Sequence, residues 1–222
     1  GWGLFGLVVQ AYSKRCLPVL NWLAALAKDV GDRIPLRLVK GAYWDSEIKL
    51  CQQRGLSGYP VYTRKESTDV SYLACANFLL SAHTRQWIFP QFASHNAHTI
   101  ATIATIAENL GATTNEYEFQ RLHGMGDALY NRLIKDKDVC VRIYAPVGSH
   151  KDLLPYLVRR LLENGANSSF VHRLVDARCP ISELVDHPVT TLKSRKTLRN
   201  PFINLPKDMF VDRKNSYGPN IE

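Results

Sequence analysis

Leu36-Arg-Leu-Val-Lys-Gly-Ala-Tyr-Trp-Asp45 is an apolar, strand-like run that carries Arg37 and Lys40 and then breaks at Gly41 into two aromatics and an acid. In a barrel or an open α/β sheet the active site lies at the carboxyl ends of the strands, so polar groups gathered where the run stops are candidates for ligand contact. Four more runs end similarly: Leu7-Val-Val-Gln-Ala-Tyr12, Ile88-Phe-Pro-Gln-Phe-Ala-Ser-His95, Tyr117-Glu-Phe-Gln-Arg-Leu-His123 and Val139-Cys-Val-Arg-Ile-Tyr-Ala-Pro146. Between them, apolar residues recur at helical spacing over 16–28, 69–82, 97–109, 125–134 and 150–164, with a short helix at 44–53 inside a loop built on Gly55, Gly58 and Pro60. Asp69 or Thr68 is placed to cap the helix over 69–82.

Strands at 7–12, 36–41, 88–94, 116–121 and 139–145 alternating with these helices predict βα units and a parallel sheet. No Gly-x-Gly-x-x-Gly or Walker pattern follows any strand, and Gly124-Met-Gly126 is a turn. Polar side chains stand at the ends of all five strands, as a barrel mouth requires, whereas an open sheet gathers its ligand contacts in one crevice. The fold class expected is therefore α/β, a (β/α)8 barrel of which 1–170 supplies five units. About three units would precede Gly1, and the opening Gly1-Trp-Gly-Leu-Phe-Gly6, without an initiator methionine, reads as a piece of a longer polypeptide. Residues 171–222 lose the periodicity and carry Pro180, Pro188, Pro201, Pro206 and Pro219, which predicts an extended connector toward a following domain.

A net charge of +8 over 222 residues favours anionic partners, among them a phosphate-bearing cofactor or a carboxylate substrate. The basic residues are scattered and fit no zinc-finger, basic-zipper or helix-turn-helix pattern, so a nucleic-acid-binding module is the weakest class. The five cysteines have neither ligand spacing nor a pairing framework and read as reduced. No run reaches the roughly 18 apolar residues of a membrane span.

Arg159 and Arg160, adjacent on the last helix, can clasp one small carboxylate from neighbouring angles, because guanidinium meets carboxylate bidentately. A solvated helix edge with an Arg159–Glu163 pair at i,i+4 is the competing reading, and the sequence leaves both open. Arg37 and Lys40, three apart on a strand, fall on opposite faces unless Lys40 lies where the strand frays. Arg37 either lines an anion site or pairs with Glu116 or Glu118. His95 and His98 lack neighbouring carboxylates, so no metal site is expected, and His95 reads as a hydrogen-bonding group at a strand end. A lysine at a strand end also allows a class I aldolase with Lys40 as Schiff-base nucleophile.

Leu38-Val-Lys-Gly-Ala-Tyr-Trp-Asp-Ser-Glu-Ile-Lys49, Gly58-Tyr-Pro-Val-Tyr-Thr-Arg-Lys65, Asp69-Val-Ser-Tyr-Leu-Ala-Cys-Ala76, His95-Asn-Ala-His-Thr99, Tyr117-Glu-Phe-Gln120, Leu122-His-Gly-Met-Gly126 and Tyr156-Leu-Val-Arg-Arg-Leu-Leu-Glu-Asn-Gly-Ala-Asn167 together resemble the proline dehydrogenase domain of bacterial bifunctional proline utilization flavoenzymes. The likeness spans roughly residues 4–176. It implies a modified (β/α)8 TIM-like barrel that binds FAD, oxidises L-proline to 1-pyrroline-5-carboxylate with hydride passing to flavin N5, and delivers electrons to membrane quinone. Gln10, Arg37, Lys40, Gly41, Tyr43, Trp44, Ser94, His95, Asn96 and Gln120 match cofactor contacts. Tyr144, Arg159 and Arg160 match the proline site, and Glu163 supports it from the same helix. The family also uses a lysine and an aspartate on strands before residue 1, so residues 1–222 alone are expected not to close the barrel. The resemblance further implies a bacterial cytoplasmic protein that meets the inner membrane face peripherally and admits a homo-oligomer. It implies DNA binding only through a separate N-terminal domain.

Overall fold

The structure, a computed structural model, describes residues 5–165 and 186–216. Five strands, β1 (Leu7–Gln10), β2 (Ile34–Val39), β3 (Ile88–Ala93), β4 (Glu118–Leu122) and β5 (Val141–Tyr144), form one sheet in sequential order, each parallel to the next. Doubly wound folds reverse their strand order at a switch point, and this sheet has none. Sequential parallel order is barrel order, as expected.

The period of two divides each strand between two faces. Leu36, Leu38, Ile88, Phe92 and Phe119 point outward into the main core, where helices α1 (Cys16–Val30), α3 (Lys65–Leu80) and α5 (Ala97–Asn109) cover them. These helices bring apolar stripes at i, i+3 and i+4: Leu20, Leu23 and Ala27 from α1, Tyr72, Cys75, Ala76 and Leu79 from α3, and Ile100, Ile103, Ala104 and Ala107 from α5. Each fully buried Leu, Ile or Phe contributes about 1.5–3 kcal/mol, so this layer carries the fold. The inner face is polar: the register sets Val8 beside Arg37, Arg37 beside Gln91, Gln91 beside Glu118 and Gln120 beside Arg142.

Several boundaries depart from expectation. α3 begins at Lys65 rather than 69, so Asp69 sits inside the helix and caps nothing. Backbone N–H groups in a helix interior are already bonded, and the Asp69 carboxylate turns instead to Lys40 and Lys65. Ser81 interrupts α3 with an extended backbone, after which a single unexpected turn, α4 (Ala82–Arg85), leads into β3. Helices α2 (Trp44–Gln53), α6 (Asp127–Lys137) and α7 (His150–Gly165) complete the βα units.

The stretch read as an extended connector contains a short helix, α8 (Pro188–Lys193), which packs on α3. It is tied to the barrel by the Arg195–Glu66 ion pair, by the Asn200 N–H donating to Thr63 Oγ1 at 2.9 Å, and by the Tyr59 hydroxyl donating to the Asn204 carbonyl at 2.7 Å. Cys16, Cys51, Cys75 and Cys140 are free thiols, Cys16 and Cys75 meeting at 3.4 Å between α1 and α3, while Cys179 lies outside the described residues.

Candidate active site

The ends of β1, β2, β3 and β5 deliver side chains to one cleft of about 470 Å³. Gln10, the last residue of β1, accepts the Ala42 N–H on Oε1 at 3.1 Å and so fixes the turn that follows β2. Arg37 rises from the inner face of β2, and Lys40 lies one residue past its end, where the strand has frayed, so both reach the cleft. Gly41 adopts φ +144°, and a Cβ there would lie 2.5 Å from the Tyr12 ring. Only glycine lets the backbone cross that ring.

Ser94, His95 and Asn96 follow β3. The Asn96 side chain caps α5 by accepting the Thr99 N–H at 2.9 Å, and Ser94 Oγ accepts the Asn96 N–H at 3.2 Å. His95 Nε2 accepts the Leu122 N–H at 3.2 Å, leaving Nδ1 as the protonated nitrogen of a neutral ring. Burial, with Arg121, Arg160 and Arg37 nearby, lowers the His95 pKa and keeps the ring neutral. From β5 comes Tyr144, whose hydroxyl pKa burial raises against the opposing pull of Arg37.

The cleft's cations pack on aromatic faces. The Arg37 guanidinium lies 4.0 Å from the Tyr144 ring centroid, Arg159 lies 4.5 Å from Tyr43, and Arg160 lies 5.6 Å from Tyr156. Such contacts orient a guanidinium without neutralising it. Both arginines of α7 are half-buried and line the cleft. Arg37 pairs with neither Glu116 nor Glu118. Glu116 is taken by Arg85 and Thr113, and the buried Glu118 carboxylate by Arg142 at 2.7 and 2.9 Å together with the Gln91 and Gln120 amides. Arg37 Nε is buried with no hydrogen-bond partner among the described residues.

Two residues matched to the cofactor stand apart from the cleft lining. Trp44 turns away, donating Nε1 to the Tyr62 carbonyl at 2.7 Å and packing on the second apolar cluster. Gln120 is buried on the inner face with its amide donating to Glu118 at 2.7 Å. The Glu163 backbone belongs to α7, but its side chain lies outside the described residues. Conversely, Lys65 and Tyr156 line the cleft without having been singled out. Their signals were the i,i+4 spacings Lys65–Asp69 and Tyr156–Arg160, which put each pair on one helix face.

The family described as Proline dehydrogenase matches residues 1–173. The chain belongs to the proline dehydrogenase family. It is 52% identical over 231 residues to the bifunctional protein PutA of Escherichia coli (strain K12) and 50% identical over 223 residues to that of Rhizobium meliloti, covering 98% of this chain in both cases. A crystal structure of a Bradyrhizobium japonicum proline utilization A (PutA) variant superposes with a TM-score of 0.88 at 52% identity, covering 96% of this chain and 22% of that one. The chain spans 17% and 18% of the length of the two curated relatives. Within the proline dehydrogenase family its five units are part of the (β/α)8 barrel. The aldolase reading falls with that membership, and the geometry agrees. A Schiff-base lysine must shed its proton, which the Asp69 carboxylate on the Lys40 ammonium opposes.

Proposed function

We propose that this chain forms the cofactor- and substrate-facing part of an FAD-dependent enzyme that oxidises L-proline to 1-pyrroline-5-carboxylate. One observation carries the reading: a buried Arg37 Nε without a hydrogen-bond partner among the described residues, at a cleft ringed by Lys40, Lys65, Arg159 and Arg160. An orphaned buried donor costs about 1–3 kcal/mol unless a ligand accepts from it, and an anionic dinucleotide carries the acceptors. Gln10, Ser94 and Asn96 add polar groups around the same cleft, which Gly41 also lines.

When bound, FAD supplies the acceptor for the hydride; the residues of the chain do the rest. Arg159 and Arg160 grip the substrate carboxylate, and the rings of Tyr144, Tyr43 and Tyr156 exclude water from the pyrrolidine. Arg37 and Lys40 supply positive charge that favours an electron-rich cofactor. No side chain need act as a strong base, since an amine in apolar surroundings loses its proton readily. We extend the proposal to electron delivery to a membrane quinone by the whole protein; no helix among the described residues is long and apolar enough to cross a membrane. The test is the visible spectrum of the full-length protein. Flavin absorbance should be present on purification and bleach on addition of L-proline, and a colourless protein, or a flavin that L-proline leaves unchanged, refutes the reading.

A further inference from the structure

Lys40 is held from three directions. It leaves the end of β2, its Nζ is paired with Asp69 Oδ1 on α3, and it donates to Thr99 Oγ1 on α5 at 3.1 Å. Asp69 is itself fixed, because its second oxygen accepts from Lys65 at 2.8 Å one turn earlier on the same helix. Burial would raise the Asp69 carboxyl pKa, but Lys40 and Lys65 hold it below the usual carboxylate range, so it is ionised. Thr99 is buried on the first turn of α5, which the Asn96 cap fixes.

A lysine is a flexible stem that loses rotamer freedom when it meets a ligand, and a cation already immobilised loses less. We propose that Asp69, assisted by Thr99, is a positioning residue: it fixes the Lys40 ammonium in the cleft so that FAD meets a preorganised cation. The inference rests on the cofactor reading above. The bland alternative is that Asp69 merely ties α3 to β2. In that case its loss would lower stability, and its effect on FAD would be independent of Lys40.

The experiment is a double-mutant cycle on the full-length enzyme, stripped of flavin and titrated with FAD. Lys40→Met and Asp69→Asn should each weaken FAD binding about tenfold or more. The double variant should fall within about threefold of Lys40→Met alone, because an anchor has nothing to hold once the lysine is gone. Thr99→Val should weaken binding about threefold in the same direction and add little to Lys40→Met. It decides the matter if Asp69→Asn does not fold. FAD affinity within twofold of wild type in Asp69→Asn, or in Thr99→Val where that variant decides, overturns the proposal. So does a double variant whose loss equals the product of the single losses. A wild-type protein that takes up no FAD would instead defeat the cofactor reading, and it would show as such before any variant is compared.

Discussion

The Arg37 guanidinium lies 4.0 Å from the Tyr144 ring centroid although β2 and β5, which carry the two residues, stand three strands apart. In a flat sheet three spacings would separate those backbones by about 14 Å, with their side chains rising side by side. Contact between them therefore requires a concave inner face. That curvature turns the ends of β1, β2, β3 and β5 toward one cleft, and it puts there a guanidinium that pairs with no carboxylate among the described residues.

Arg37→Met in the full-length protein should make the flavin midpoint potential more negative, because it removes positive charge that favours the reduced form. A charged hydrogen bond is worth about 1.5–3 kcal/mol, which for a two-electron couple corresponds to a shift on the order of 30–60 mV. Spectroelectrochemical titration reads it directly. An unchanged or higher potential would place Arg37 away from the flavin.

Gly41→Ala should cost both stability and cofactor. The backbone at φ +144° strains any L side chain, and the added methyl would collide with the Tyr12 ring. Together these are worth about 2–4 kcal/mol, and the turn that Gln10 fixes should distort. Trimming the ring in a Gly41→Ala/Tyr12→Ala protein should recover part of the flavin content but not all, since the backbone strain remains. Full recovery would mean that the steric contact alone matters.

The sheet was legible in the sequence because each strand is a short apolar run that stops at polar residues, and its order followed from the alternation with helices. The clasp on Lys40 was not legible. Asp69 has the composition of a helix cap, and nothing local reveals that α3 begins four residues earlier and points this carboxylate across to β2. Glu118 and Arg37 show the same limit. Both lie on inner-face positions, yet which cation meets which acid depends on register and curvature, and Arg142 on the neighbouring strand takes Glu118 while Arg37 finds an aromatic ring. Arg159 and Arg160 were readable as a pair, whereas the cleft they line is built from the ends of β1, β2, β3 and β5 together with Lys65 and Met125, stretches far apart in sequence.

Stability should fall in mild acid, and His95 should be part of the cause. Its pKa in the folded protein is depressed below the ordinary 6.5 by burial and by Arg121, Arg160 and Arg37, so the unfolded chain binds the proton first. Stability is then fully present above about pH 6.5 and is lost as pH falls toward the depressed value, by at most about 1.4 kcal/mol per pH unit for one group. His98 is shifted the same way by burial and by His187 and Lys40. His95→Gln keeps an acceptor for the Leu122 N–H but cannot titrate, so the temperature of flavin release should vary less between pH 6.5 and 5 than in wild type. An identical pH profile would show that the ring carries no charge change on unfolding.

Substrate recognition is expected to reside in Arg159 and Arg160, adjacent on α7, held over Tyr43 and Tyr156 and both lining the cleft. Truncating one member of a desolvated charge pair typically costs about 2–5 kcal/mol, so Arg159→Met and Arg160→Met should each weaken a cyclic carboxylate inhibitor roughly 30-fold or more. Flavin content should stay near wild type. The kcat/KM for L-proline should fall in parallel, while an analogue without the carboxylate should lose far less. Tyr43→Leu would remove the ring beneath Arg159 while leaving the charge, and a smaller loss, confined mainly to KM, is expected if the ring only orients the guanidinium. Should Arg160→Met leave inhibitor affinity and kcat/KM within a factor of two while Arg159→Met does not, a single arginine grips the carboxylate and the paired clamp is wrong. If both variants behave as wild type, the substrate carboxylate must instead meet Arg37, Lys40 or Lys65, the other cations of the cleft.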